Sequence, residues 1–255
     1  MVRYCKEFAI TISRRLDPDP GSDTQEVPVH IPDGFIDSPV AAGAAVVAVG
    51  GVAVCLRGAR RTLDERTAPL AGLVAVFVFA AQMINFPVGA GTSGHLIGAA
   101  LAAILVGPYA GVLAITVVLA VQALVFADGG LTALGLNIVN MALIATVVAW
   151  FVFRGVVRAF GTGRPSVVTG AWLAGFLSVL GAVTGFLVEF ALGGTAPVDL
   201  GAVVAAMLSV HVLIGAIEGV VTALIVWSVA TVRPDLVAGL KGVRPATRQP
   251  EAVAA

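Results

Sequence analysis

His30 and His95 are the residues of this chain best suited to coordination chemistry. His30 lies in Val29-His30-Ile31-Pro32-Asp33-Gly34-Phe35, the polar stretch just before the apolar part of the chain begins, and His95 closes Gly91-Thr92-Ser93-Gly94-His95. The chain has 3 histidines, and these two stand in glycine-rich polar stretches. A single His near a membrane boundary is ordinarily just interfacial. Two imidazoles brought to one face would suit a divalent transition metal such as Ni, Co, Zn or Cu rather than Mg or Ca. Pro32 and Asp33-Gly34 specify a tight turn, which would fold the first stretch back toward the second. Asp33 is placed to orient an imidazole from behind. Asn85, Ser93 and Asp128 stand in or beside the same loops and are candidates for the same supporting role. The plain reading of Asp128, in Asp128-Gly129-Gly130, is a turn residue.

These loops need a scaffold, and the composition says what kind. The 255 residues are 58% hydrophobic and 12% charged, with a mean hydropathy of +1.00. A soluble domain is usually about half apolar and a quarter charged. The chain is therefore expected to be an all-α, multi-pass membrane protein, placed in the cell (cytoplasmic) membrane. Seven apolar segments are expected near 39–56, 69–86, 95–106, 108–126, 132–153, 166–192 and 203–231. The run 96–126 is long for one helix and short for two, and Gly107-Pro108 is a strong breaker within it. Breaking it there puts three basic clusters on one side: Arg57 to Arg66, Arg154 to Arg164, and Arg233 to Arg248. Basic loops stay cytoplasmic. This gives about seven transmembrane helices, the His30 motif outside and the C-terminus cytoplasmic, with the third helix short or tilted and sheltered by its neighbours. The outer loops then carry no Lys or Arg, which suits a cation. Residues 1–28 read as a disordered or misassigned N-terminal extension, 29–232 as a transmembrane metal-binding domain, and 233–255 as a cytoplasmic tail.

Other polar residues in the apolar segments have structural readings first. Asn137 and Asn140 are three apart, so they share a helix face, and amides there usually join helices. Gln82 is read in the same way. His211 and Glu218 share a face of the last segment; His211 reads as a hydrogen-bonded packing residue, and Glu218 and Glu189 as protonated or paired. Cys5 and Cys55 make neither a disulfide framework nor a thiolate site. There is no G-x-x-x-x-G-K-[ST] loop for ATP and no H-E-x-x-H zinc motif, and the basic residues are too dispersed for nucleic acid. An enzyme is not expected. A membrane hydrolase would lack a recognisable base or nucleophile.

Four stretches together resemble the CbiM/NikM family: VHIPDGF; QMINFPVGAGTSGHLIGAALAAILVGP over 82–108; QALVFADGGLTALGLNIVNM over 122–141; and HVLIGAIEGVVTAL over 211–224. These are the substrate-binding membrane components of energy-coupling factor (ECF) cobalt and nickel importers. The resemblance implies Co2+ or Ni2+ as transported substrate and no tightly bound organic cofactor. It implies an ECF transmembrane coupling (T) protein, ABC-type ATPase subunits and a small accessory membrane protein as partners, and a link to cobalamin biosynthesis when the ion is cobalt. It also implies a small-residue face, here Ala41, Ala45 and, offset, Ala44 and Ala48, that docks the coupling protein. In the family the motif stands at the extreme N-terminus. Its free amine, the next backbone nitrogen and the imidazole chelate the metal, and the His of the second loop completes four nitrogens. Here Val29, His30 and His95 match those positions, but residues precede Val29. Translation starting at Val29, proteolytic release before Val29, and a long form with a different site all remain open. The alternative function is a self-sufficient secondary transporter or channel for a divalent metal, using Glu189 or Glu218. Cobalt and nickel are not separable from these residues.

Overall fold

A computed structural model of the chain describes residues 30–65, 67–89 and 92–243. Seven helices make up most of it. They are α1 (Ser38–Thr62), α2 (Thr67–Gln82), α3 (Ala99–Val106), α4 (Pro108–Val125), α5 (Leu134–Phe160), α6 (Arg164–Gly193) and α7 (Leu200–Val232). All but α2 and α3 are long and apolar enough to cross a membrane. The local sequence explains several boundaries. Asp37 caps α1 by accepting the Val40 N–H at 3.0 Å, with Pro39 in the first turn. Asp199 does the same for α7 through the Ala202 N–H at 3.1 Å. Gly107, at φ 87°, turns the chain directly into Pro108 at the start of α4, so the expected break is present.

Two of the expected segments differ from the sequence reading. The second ends as a helix at Gln82 rather than 86, because Asn85–Gly89 (β1) pairs antiparallel with Thr92–His95 (β2). The third, expected over 95–106, is helical only over Ala99–Val106, and every residue of that helix is buried. Eight residues rise only about 12 Å, so α3 does not cross a bilayer. It is the axis of the bundle, touching α2, α4, α5, α6 and α7. Small residues let the surrounding helices close in, as the glycine content implies. A Cβ on Gly175 of α6 would stand 2.8 Å from the Gly219 Cα of α7. Ala41 and Ala48 are buried, and Ala45 backs onto Gly135 of α5. That face of α1 is internal packing rather than a free docking surface.

The two ends of the bundle differ. One end carries His30, the β1–β2 ribbon and the 126–132 and 193–199 loops, and has no Lys or Arg among its described residues. The other carries Arg57, Arg60 and Arg61 at the end of α1, Arg154 and Arg158 at the end of α5, Arg164, Arg233 and Lys241. There residues 233–243, assigned to a tail by the sequence, fold against the bundle. Val237 is fully buried, and Arg154 donates to the carbonyls of Gly239 at 3.2 Å and Lys241 at 2.6 Å. Residues 244–255 lie outside the described residues.

Candidate metal centre

The segment 30–37 is a strap laid across two loops. A turn closes it, with the Phe35 N–H donating to the Pro32 carbonyl at 3.4 Å and Gly34 at φ 77°. Asn137 grips the residue after His30 from both sides. Its Oδ1 accepts the Ile31 N–H at 3.2 Å and its Nδ2 faces the Ile31 carbonyl at 3.5 Å. The same carbonyl accepts the Gly130 N–H at 3.0 Å. Asp33 receives the Thr132 N–H at 2.7 Å and the Thr132 hydroxyl at 2.5 Å, and the hydroxyl bond, more than any other contact, holds its carboxyl below the usual range. Further along, the Thr195 hydroxyl donates to the Gly34 carbonyl at 2.6 Å and the Asp37 N–H to the Gly193 carbonyl at 2.7 Å. Phe35 packs over Phe190 and Phe186, with ring centroids 5.5 and 6.2 Å away. Each such aromatic pair contributes about 0.5–1.5 kcal/mol.

This anchoring delivers His30 to His95. Both are buried, and their ring centroids are 4.7 Å apart at an interplanar angle of 57°. Gly129 makes the approach possible. Its φ is +93°, and a Cβ there would stand 2.7 Å from the His30 Cβ. A side chain at Gly130 would likewise strike Asp33. The Asp-Gly-Gly loop is thus the floor on which the strap lies.

The two imidazoles are prepared differently. The His95 Nδ1 lies 2.8 Å from the Leu96 carbonyl. A carbonyl only accepts, so Nδ1 carries the proton and Nε2 keeps its lone pair. Burial, then the neighbouring His30, pushes the His95 imidazole down to about 3, so it is neutral at physiological pH. Both ring nitrogens of His30 are buried with no hydrogen-bond partner among the described residues. Asp128 Oδ1 is 3.4 Å from His30 Nδ1, close enough to attract it but without hydrogen-bond geometry. A buried polar group left in this state costs about 1–3 kcal/mol. Native sites rarely carry that cost without a ligand or a role.

The supporting residues sort themselves by partner. Asp128 is the carboxylate that faces an imidazole, whereas Asp33 is engaged by Thr132 and pins the strap. Asn85 and Ser93 lie in the ribbon, where their backbones are in register with those of His95 and Pro87. Val29 lies outside the described residues. Among the described residues no three His, Cys, Asp or Glu side chains stand together as a metal cluster; the imidazoles that meet are those of His30 and His95. Further along the chain from His95, Glu218 accepts the N–H groups of Ile97 at 2.6 Å and Gly98 at 2.9 Å, and Gln82 Nε2 donates to the Ile97 carbonyl at 2.8 Å. His211 donates from Nδ1 to the Met207 carbonyl at 2.7 Å, as a packing histidine would, while its Nε2 faces Gly94.

Sequence comparison places the chain among known proteins. Residues 30–236 match the model of the CbiM family, described as the cobalt uptake substrate-specific transmembrane region. The chain belongs to the CbiM family. A putative metal transport protein of Haloquadratum walsbyi is 40% identical over 82% of this chain and 93% of its own length. A putative fused nickel transport protein NikMN of Archaeoglobus fulgidus is 38% identical over 82% of this chain and 68% of its own length. A crystal structure of a truncated transition metal transporter superposes with a TM-score of 0.73 at 30% identity, covering 80% of this chain and 99% of that one. The chain is thus a multi-pass membrane protein of a cobalt/nickel transport family. The matched region begins at His30 and includes His95 and both loops that receive the strap.

Sequence reasoning undervalued Asn137, Thr132, Thr195 and Glu218. Asn137 and Asn140, expected on one face, bracket the start of a π-helical stretch over Ile138–Ile144. They serve different partners, Asn137 the strap and Asn140 the Glu189 carboxylate at 2.6 Å. The usable signal was an amide in an apolar helix close to a polar loop. Such an amide holds backbone here as readily as it joins helices.

Proposed function

We infer that this chain is the substrate-binding component of an ECF-type importer for Co2+ or Ni2+, taking up the ion at the extracytoplasmic face. The observation that supports it most is the pair of His30 ring nitrogens, buried and without a hydrogen bond among the described residues, on a ring whose centroid is 4.7 Å from that of a neutral His95 protonated at Nδ1, so that its Nε2 keeps a lone pair. Two further nitrogens would come from the His30 backbone and residue 29. Amine and amide close a five-membered chelate ring, amide and imidazole a six-membered one, and tetragonal nitrogen sets favour Ni(II) or Cu(II). The outward assignment of the site rests on the positive-inside trend, since the basic residues gather at the opposite end. Concentrative uptake needs an energy source that this sequence does not contain, so coupling to a T protein and ABC-type ATPases is part of the proposal.

The test is metal binding to the purified chain. Wild type binds Ni2+ or Co2+ tightly. His30→Ala and His95→Ala each weaken binding by more than the roughly 100-fold reached on losing an outer-shell partner. Unchanged affinity in either variant would remove the site. Intact mass of the mature protein reports whether residue 29 offers a free amine. The reading as a self-sufficient secondary transporter is less well supported, because Glu189 is engaged by Asn140 and Glu218 by two backbone amides. Metal uptake into liposomes holding the purified chain alone would restore it.

A further inference from the structure

Glu218 lies deep in α7, 2% exposed, and the peptide it binds is an informative one. The Leu96–Ile97 peptide unit offers its two polar ends to two different groups. Its carbonyl accepts the His95 Nδ1 proton at 2.8 Å, and its N–H donates to Glu218 Oε2 at 2.6 Å. The next N–H, of Gly98, donates to Glu218 Oε1 at 2.9 Å. Gly98 is the N-cap of α3 and supplies no capping side chain, so the carboxylate of a helix 120 positions away in sequence caps it instead. The rest of the turn is equally held. Gln82 takes the Ile97 carbonyl at 2.8 Å, the Ala102 N–H takes the Gly98 carbonyl at 3.0 Å, and a Cβ on Gly98 would strike Val78. On the other side of His95, a Cβ on Gly94 would stand 2.6 Å from Ile214 Cδ1 and 3.0 Å from His211 Nε2. The face of α7 that carries His211, Ile214 and Glu218 thus meets the chain on both sides of His95.

Building on the metal-site reading above, we propose that Glu218 is the positioning residue of His95, fixing its tautomer and direction through the Leu96–Ile97 peptide. Metal-binding histidines commonly donate their second ring N–H to a carboxylate or a carbonyl, which sets the tautomer and raises ligand basicity. Here both devices are joined in series. The carboxylate polarises the peptide, the peptide carbonyl holds Nδ1–H, and Nε2 keeps its lone pair on a ring that packs against His30. Hydrogen bonds in a chain strengthen one another in a low-dielectric interior. Glutamine at 218 would keep the volume but present an NH2 to one of the two N–H donors. That leaves a buried donor unpaired and the peptide free to tilt.

Three measurements on the purified full-length chain test this: Ni2+ affinity, the visible d–d absorption of the Ni2+ complex, and the 15N NMR signature of the His95 tautomer. Glu218→Gln is expected to weaken Ni2+ binding roughly 10- to 100-fold, to shift the d–d band and to lose the single Nδ1–H tautomer. Glu218→Asp is expected to recover part of the affinity. Glu189→Gln, which removes a buried acid engaged elsewhere, is expected to leave all three unchanged. A folded Glu218→Gln protein with wild-type affinity, spectrum and tautomer would overturn the proposal. If that variant does not fold, amide exchange at Ile97 and Gly98 in wild type decides. Strong protection of both is the expected result, and fast exchange would overturn the role. Wild-type Ni2+ binding by His95→Ala would overturn the metal site itself, whereas loss in His95→Ala with none in Glu218→Gln would overturn only the positioning role.

Discussion

The two ends of the bundle are built from the same seven helices, yet they are tied by opposite chemistry. At the His30 end, neutral or acidic side chains and backbone groups hold one another. Asn137 clamps Ile31, Thr132 holds Asp33, Thr195 holds Gly34, and Glu218 holds Ile97 and Gly98. At the other end cations do the work. Arg154 closes the 233–243 segment and lies 5.3 Å above the Trp150 ring, and Arg164 lies 5.5 Å above Trp227. A fixed cation beside two imidazoles would oppose a divalent ion, whereas arginines at the far end act as anchors. On the function proposed above, the difference separates a binding end, where position is set without positive charge, from a structural end, where charge itself sets position.

Perturbing the binding end should damage metal binding more than stability, and the contrast is sharpest at Gly129. Gly129→Ala places a Cβ at φ +93° against His30. Strain of this kind costs about 1–3 kcal/mol, and Ni2+ affinity measured by calorimetry is expected to fall by more than about tenfold, comparable to losing an outer-shell partner. Asn137→Ala comes next. It leaves the Ile31 N–H without its acceptor, at a cost of about 1–3 kcal/mol, and loosens the strap one residue from His30. A roughly tenfold loss of affinity is expected, at the lower edge of outer-shell effects.

The third effect is on pH dependence. His95 is held near 3 against the ordinary histidine value of 6.5. The unfolded chain therefore takes up a proton that the folded chain refuses. His95 adds no pH dependence above about 6.5. Stability of the metal-free protein should fall as the pH drops through 6.5 toward 3, by about 1 kcal/mol between pH 6.5 and 5.5 from this residue. Melting in detergent across that range checks it, and His95→Ala should flatten the curve. A wild-type curve as flat as that of the variant would mean that His95 is not buried as described. The smallest effect on binding is expected at the far end. Arg154→Ala should lower stability by about 1–2 kcal/mol while leaving Ni2+ affinity within experimental error. A large loss of affinity there would erase the distinction between the two ends.

Much of the scaffold was legible from the chain. Long apolar runs have little alternative to membrane-crossing helices, because every backbone polar group must be satisfied within the segment. The break at Gly107-Pro108 follows from local sterics and is found where expected. The two histidines were legible as candidates because imidazoles are scarce here and both stand in glycine-rich polar stretches. The β1–β2 ribbon was not legible. Asn85–Gly89 continues an apolar run, and only pairing with Thr92–His95 takes it out of the helix. Nor were the positions of Asp33 and Asp128 separable. Both precede glycines in turns, and only the packed loops turn one toward Thr132 and the other toward His30.

By itself the sequence determined an all-α membrane bundle, its charge asymmetry, and two imidazoles bound for one end of it. Hydropathy, helix capping and backbone sterics act within a few residues, so a sequence states them directly. Tertiary structure alone decided what holds those imidazoles. Asn137 reaches Ile31 across 106 positions and Glu218 reaches Ile97 across 121. Contacts at such separations are set by how small residues let α5, α6 and α7 close around a buried eight-residue helix. No local pattern in the chain specifies which backbone groups then lie within reach of an amide or a carboxylate.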